Sequence, residues 1–223
     1  MTPPGTATPL RNYTVDMTKL LHVIVVSDDL VSYQHVHPAL GKDGHFTTDL
    51  HFPEPGHYHV FADCVPAGVG NQVFRFDVSV GGGGGTPARE LPTLSTARAG
   101  PYLVSLAGTT VHAGRPADLA IHVLKGSAPA RDLQLYLGAP AHAVFIGAQD
   151  LDYVHVHPTA ANAAPMKMDM GGADMGDMDM SDAKPSPDMH LRVTLRNRGA
   201  YVLFLQFQGG GMLHVARFGI TAS

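Results

Sequence analysis

His22-VIVVSDDLVSYQ-His35-V-His37-Pro38 and His142-AVFIGAQDLDYV-His155-V-His157-Pro158 are one pattern written twice, with the first histidine 13 residues ahead of the His-x-His-Pro in both copies. Asp29-Leu30 recurs as Asp150-Leu151. Further along, Gly56-HYHVFAD is answered by Gly199-AYVLFLQ, which sets Tyr58 over Tyr201 and Phe61 over Phe204. The offset between copies is 120 at the histidines and 143 at the tyrosines, so the second copy carries 23 extra residues. An internal repeat of this kind marks a duplicated structural unit. Within each copy a β-branched run, a polar break and a second short run read as two strands of a hairpin. A turn at Asp28-Asp29 gives paired positions that sum to 57 and places His22 opposite His35; the second copy then pairs to a sum of 297. His37 follows His35 by two residues and shares its face, because strand side chains alternate.

The rest of the chain extends this β reading. LLHVIVV, QVFRFDVSV, LRVTLR, YVLFLQF and LHVARFGI are short, β-branched or aromatic, and bounded by Gly, Pro, Asp or Asn. No segment carries the caps and 3.6-residue period of an amphipathic helix. The expected fold is all-β: two immunoglobulin-like or cupredoxin-like β-sandwich units in tandem, the second with a disordered Met-rich loop. Unit 1 covers residues 1–80, a Gly/Pro-rich linker residues 81–101, and unit 2 residues 102–223, with the Met-rich insertion at 159–189. Tyr102-LVSLAG and Asp118-LAIHVLKG have no counterparts in unit 1, which is therefore expected to lack one or two strands.

Two copies of a three-histidine pattern point to metal, since imidazole is the commonest metal ligand. His22, His35 and His37 form one expected set, and His142, His155 and His157 the other. Ordinary half-buried sheet histidines are the bland alternative. His57 and His59 are a candidate secondary pair, with a solvated strand face the favoured reading. In the insertion, Met166, Met168, Met170, Met175, Met178 and Met180 stand among Asp and Gly rather than among apolar residues. Thioethers are soft and select Cu(I), whereas imidazoles also suit Cu(II) and other divalent ions. Copper in either oxidation state is thus the expected ligand, and another divalent metal remains open.

Composition excludes other classes. The formal net charge is −4, which offers no basic surface for nucleic acid. No apolar run approaches the roughly 18 residues of a membrane span. Cys64 is the single cysteine, so internal disulfides and Cys-x-x-Cys zinc patterns are excluded. It is followed by no histidine at blue-copper spacing. A cupin-like metalloenzyme would use His35 and His37 with Glu54 and His57, but no Glu closely follows His37 and unit 2 lacks the later pair. No nucleophile-elbow or phosphate-loop motif occurs, and a non-enzymatic role is expected. MTPPGTATPLRNY at the start has no signal-peptide core, which leaves a mature form, a late start or a cytosolic protein open.

The pattern LHVIVVSDDL…HVHP, then G-x-Y-x-x-F-A-D, YLGAPAH…DL-x-Y-x-HVHP and a terminal Y-x-x-F-x-x-F strand resembles a family of bacterial secreted or periplasmic heavy-metal (copper) binding proteins. The likeness runs over roughly residues 13–220 and is similar in architecture to periplasmic copper-resistance carriers. It implies an extracytoplasmic role in copper resistance, storage or delivery, with a copper pump, oxidase or chaperone as partner. Two features depart from the pattern: Cys64 replaces a common aromatic, and unit 1 starts late. A β-sandwich interaction module without metal is the competing expectation.

Overall fold

The computed structural model describes residues 9–82, 91, 95–108, 110–161 and 185–223. The expected all-β class holds: 19 strands are present, and no helix occurs among the described residues. None is therefore long and apolar enough to cross a membrane. The chain divides into two compact units between Glu90 and Leu91.

Unit 1 holds β1 (Tyr13–Thr14), β2 (Leu21–Ser27), β3 (Tyr33–Val36), β4 (Ala39–Leu40), β5 (Phe46–Thr47), β6 (Gly56–Pro66) and β7 (Gln72–Val80). Its five-stranded sheet runs β3-β2-β6-β7, with β1 also on β6, and β4-β5 is a separate ribbon. One sheet face carries Leu21, Val23, Val25, Tyr58, Val60 and Cys64, packed against Phe46, Leu50 and Phe52 from the ribbon and the segment after it. The other face of β2 carries His22, Ile24 and Val26, all fully buried.

Unit 2 holds β8 (Thr96–Ala99), β9 (Tyr102–Ala107), β10 (Thr110–Val111), β11 (Ala117–Lys125), β12 (Ala128–Pro129), β13 (Leu133–Gln134), β14 (His142–Gly147), β15 (Tyr153–Val156), β16 (Thr159–Ala160), β17 (Asp188–Val193), β18 (Gly199–Gly209) and β19 (Met212–Ala222). It is a full sandwich. One sheet is β10-β19-β18-β14-β15 with β13 on β18, and the other is β16-β17-β11-β9-β8 with β12 on β11. Val104, Leu119, Ile121 and Leu191 of the second sheet meet Phe145, Leu203, Phe207 and Phe218 of the first in one core.

The duplication maps strand for strand. β1, β2, β3, β6 and β7 correspond to β13, β14, β15, β18 and β19, down to the short β1 and β13 pairing with the ends of β6 and β18. The ribbon β4–β5 pairs in the register of β16–β17, so what unit 1 lacks of the second sheet, among the described residues, is counterparts of β8, β9, β11 and β12, which include the two unmatched runs and two short strands beside them. The expected linker also ends earlier: residues 96–99 are not linker but β8, paired with β9. The expected insertion is likewise shorter at both ends, because Thr159 and Ala160 form β16 and Met189 is a buried core residue of β17.

Tyr58 and Tyr201 close equivalent corners. Tyr58 donates its hydroxyl proton to the Glu54 carbonyl at 2.7 Å. The Tyr201 hydroxyl lies 3.2 Å from the Asn197 carbonyl and 3.0 Å from Asp152 Oδ2. A buried tyrosine near a strand start that bonds the backbone upstream is a hallmark of immunoglobulin-like sandwiches. Burial, and then the Asp152 carboxylate, push the Tyr201 hydroxyl up to about 12.

Acid weakens a second tie in unit 2. Asp132 accepts from Lys125 Nζ and from the Tyr102 hydroxyl at 2.9 Å, and the Lys125 ammonium holds its carboxyl below the ordinary carboxylate value. A carboxyl depressed in the folded state contributes stability above its unfolded value of about 4, lost as pH falls through the folded one. Asp132→Asn is expected to flatten the acid limb of the stability–pH profile; chemical denaturation at stepped pH checks this, and an unchanged slope refutes it.

Candidate metal centre

β2 and β14 place the first histidine of each triad, and β3 and β15 with their C-terminal extensions place the other two. Both hairpins pair in a register two residues from the expected one. Ile24 faces His35 and Val144 faces His155, so paired positions sum to 59 and 299. The cause is a four-residue loop where a two-residue turn was expected. In unit 1, Ser27 N donates to Ser32 O and Leu30 N to Ser27 O, with Leu30 at φ 58°. In unit 2, Gly147 N donates to Asp152 O and Leu151 N to Gly147 O, with Leu151 at the same φ. The two Asp-Leu pairs thus sit one loop position apart. Each aspartate accepts from the amide two residues on, Val31 N or Asp152 N, at 3.0 Å, as Asx turns do. A shift of two preserves the face, so the histidines still converge.

They converge through matching atoms. His22 Nδ1 lies 3.0 Å from His35 Nε2, which lies 3.1 Å from His37 Nε2. His142 Nδ1 lies 3.4 Å from His155 Nε2 and 3.1 Å from His157 Nε2. Ligands bonded at about 2.0–2.1 Å to a tetrahedral ion stand roughly 3.3 Å apart, so these spacings are those of one coordination shell. His22 and His142 are fully buried, His35 is buried, and His37, His155 and His157 are half-buried.

Backbone carbonyls orient the two buried rings. His22 Nε2 donates to the Asp16 carbonyl and His142 Nε2 to the Tyr136 carbonyl, both at 3.0 Å. A carbonyl only accepts, so the proton of each neutral ring sits on Nε2 and the Nδ1 lone pair points into its triad. Metal-bound histidines are held this way by an outer acceptor. Each carbonyl belongs to a tight turn: Asp16 pairs with Lys19 and Tyr136 with Ala139. The central residues all have positive φ, at Met17 (42°), Thr18 (68°), Leu137 (52°) and Gly138 (83°), as type I′ turns require. Thr18 is β-branched in a region that costs about 1–2 kcal/mol for a side-chain-bearing residue. Thr18→Gly is therefore expected to stabilise unit 1 by roughly 0.5–1 kcal/mol after glycine's own entropy cost, read as a higher denaturation midpoint; a lower midpoint contradicts it.

Sequence reasoning missed these turns and two further residues. Asp63 of β6 stands directly across from His22, and Gln206 of β18 directly across from His142. Cross-strand partners share a face, so a carboxylate adjoins the first triad and an amide the second. Asp63 also accepts from Asn71 Nδ2 at 2.7 Å. The signals were present: Asp16 and Tyr136 both precede their histidine by six residues, and Asp63 and Gln206 keep the 143-residue offset of the tyrosines.

The remaining expected site residues do not join the triads. Met166, Met168, Met170, Met175, Met178 and Met180 lie outside the described residues. His57 is exposed and bonded to Ser79 Oγ. His59 is held between Asp28 Oδ1 at 2.9 Å and Asp77 Oδ1 at 2.7 Å, which engages both ring nitrogens. It is a fastener of the β2–β3 loop rather than part of a solvated face or a ligand pair. Cys64 lies on the opposite face from His22, in the apolar cluster, and burial followed by the Asp63 charge pushes its thiol up to about 11. It is a protonated packing residue, as a buried free thiol should be. Pro38 and Pro158 follow just after β3 and β15, consistent with strand termination.

No curated protein matches the sequence. Among solved structures, the chicken CNTN1 FN1-FN3 domains are similar over 92% of this chain at 10% identity and a TM-score of 0.26, and this chain spans 57% of that one. The model of a domain family of unknown function, DUF8832, matches residues 5–82 and 96–223. That match takes in both strand sets and both triads, and the chain belongs to the DUF8832 family.

Proposed function

We propose that this chain is an extracytoplasmic copper-binding protein that serves copper resistance, storage or delivery and catalyses no reaction of its own. The observation that carries the reading is the agreement of the two triads. Each presents one Nδ1 and two Nε2 atoms joined in sequence by two spacings of 3.0–3.4 Å, with the Nδ1 ring tautomer fixed by a backbone carbonyl. Imidazole nitrogens take Cu(II) and other borderline ions, and the thioethers of Met166 to Met180 select Cu(I). Asp63 adds negative charge beside the first triad and favours a divalent ion there. The insertion's aspartates attract cations from a distance. Delivery implies a receiving protein, such as a copper pump, oxidase or chaperone.

Titration calorimetry with Cu(II), Cu(I) and Zn(II) tests this. The reading expects sub-micromolar copper binding that falls in an Asp63→Asn variant for Cu(II). A thermal melt separates it from a metal-free interaction module. A ligand that binds only the folded state raises stability by about 2.7 kcal/mol at a hundredfold excess over its dissociation constant. No copper-dependent rise in melting temperature would overturn the proposal.

A further inference from the structure

β7 is the outer strand of the unit 1 sheet: it pairs with β6, and no described strand pairs with its other edge. Along it Val73 is 40% exposed, Phe74 38% and Phe76 56%. Phe74 and Phe76 lie across from Ala62 and Val60, on the same face as the unit 1 apolar cluster. The corresponding strand of unit 2 shows what such positions ordinarily do. Phe61 faces Arg75 and Phe204 faces Arg217, so Phe74, Phe76 and Val78 correspond to Ala216, Phe218 and Ile220. Those three are buried to 1% exposure or less within the unit 2 sandwich. A long edge strand with bare aromatics is a template for pairing with another chain.

The sequence of β7, QVFRFDVSV, is complementary to its own reverse about Phe76. In an antiparallel pair centred on Phe76, Arg75 of one copy falls opposite Asp77 of the other, and Asp77 opposite Arg75. Phe74 then meets Val78, and the two Phe76 rings meet each other. Opposite charges and aromatic or β-branched pairs directly across strands are the stabilising combinations, and a two-fold contact must be self-complementary in this way. We propose that β7 is the surface through which two copies of this chain associate, edge to edge and antiparallel, about an axis at Phe76. The pairing joins two five-stranded sheets into one and sets the exposed aromatics side by side.

Sedimentation velocity over a concentration series, in chelator so that metal bridging plays no part, reads the association. The wild type is expected to dimerise. Arg75→Glu and Asp77→Lys should each be monomeric, since each sets like charges across the axis. An equimolar mixture of these two variants should regain the dimer, because every cross-axis pair is then opposite in sign. Phe76→Lys, at an exposed position, should be monomeric even if loss of the His59 partner keeps Asp77→Lys from folding. A wild type that stays monomeric throughout overturns the proposal, and so does a dimer that survives both Arg75→Glu and Phe76→Lys.

Discussion

Alanine in place of His22 is expected to weaken copper binding by the first triad by about a hundredfold or more. Losing only the outer partner of a metal-bound histidine costs about 10–100-fold, and His22→Ala removes the ligand together with its carbonyl-fixed ring. The ring is fully buried, and its Nδ1 lies 3.0 Å from His35 Nε2. The substitution also strands the Asp16 carbonyl, whose unmet hydrogen bond costs about 1–3 kcal/mol, so the metal-free variant should melt earlier as well. His142→Ala should do the same in unit 2, where the Tyr136 carbonyl is left without its donor. His45→Ala is the control, because His45 is exposed and bonded only locally to Asp43. Calorimetry of the three variants checks the set; equal affinities would remove the triads from the account.

The second large effect concerns the core that holds β14 in place. Phe145 has no exposed surface and sits in the unit 2 sandwich core, on the face of β14 away from His142. Phe145→Ala is expected to destabilise unit 2 by about 3–5 kcal/mol, the usual cost of emptying a buried phenylalanine site. Denaturant unfolding measures it. Phe76→Ala, the same change on the exposed edge of unit 1, should cost under about 1 kcal/mol at concentrations where the chain is monomeric. If the two changes cost the same, the contrast drawn between the closed sandwich and the open sheet is wrong.

The histidines were legible in the sequence because strand parity survives an error in register. Moving the pairing of His35 from His22 to Ile24 changes every partner but no face. The register itself was not legible. It depends on Leu30 and Leu151 taking a left-handed conformation that their type gives no reason to expect, and on aspartates that cap the loop. The two tyrosine corners were legible as the Gly-x-Tyr match, since the glycine and the ring both serve the turn into β6 and β18. Asp63 was hidden by its neighbourhood: in a run reading VFADCV it looks like a strand's solvent-facing residue, and only the pairing of β6 with β2 brings it beside His22. The strands missing from unit 1 were legible as two unmatched runs, β9 and β11, whereas the match of β4–β5 to β16–β17 was hidden because each strand of the ribbon is only two residues long. Met189 was drawn into the insertion by its residue type, whereas its place in the alternating run DMHLRV sends it to the core.

The most direct test of the central claim is X-ray absorption of the protein loaded with two equivalents of Cu(II), enough to fill both triads, read beside the triple variant His22→Ala/His35→Ala/His37→Ala and its unit 2 equivalent. The account predicts a first shell dominated by imidazole nitrogen at about 2.0 Å, with the imidazole scattering reduced in each variant. A shell of oxygen or sulfur alone in the wild type, or a nitrogen shell that neither variant disturbs, would contradict it.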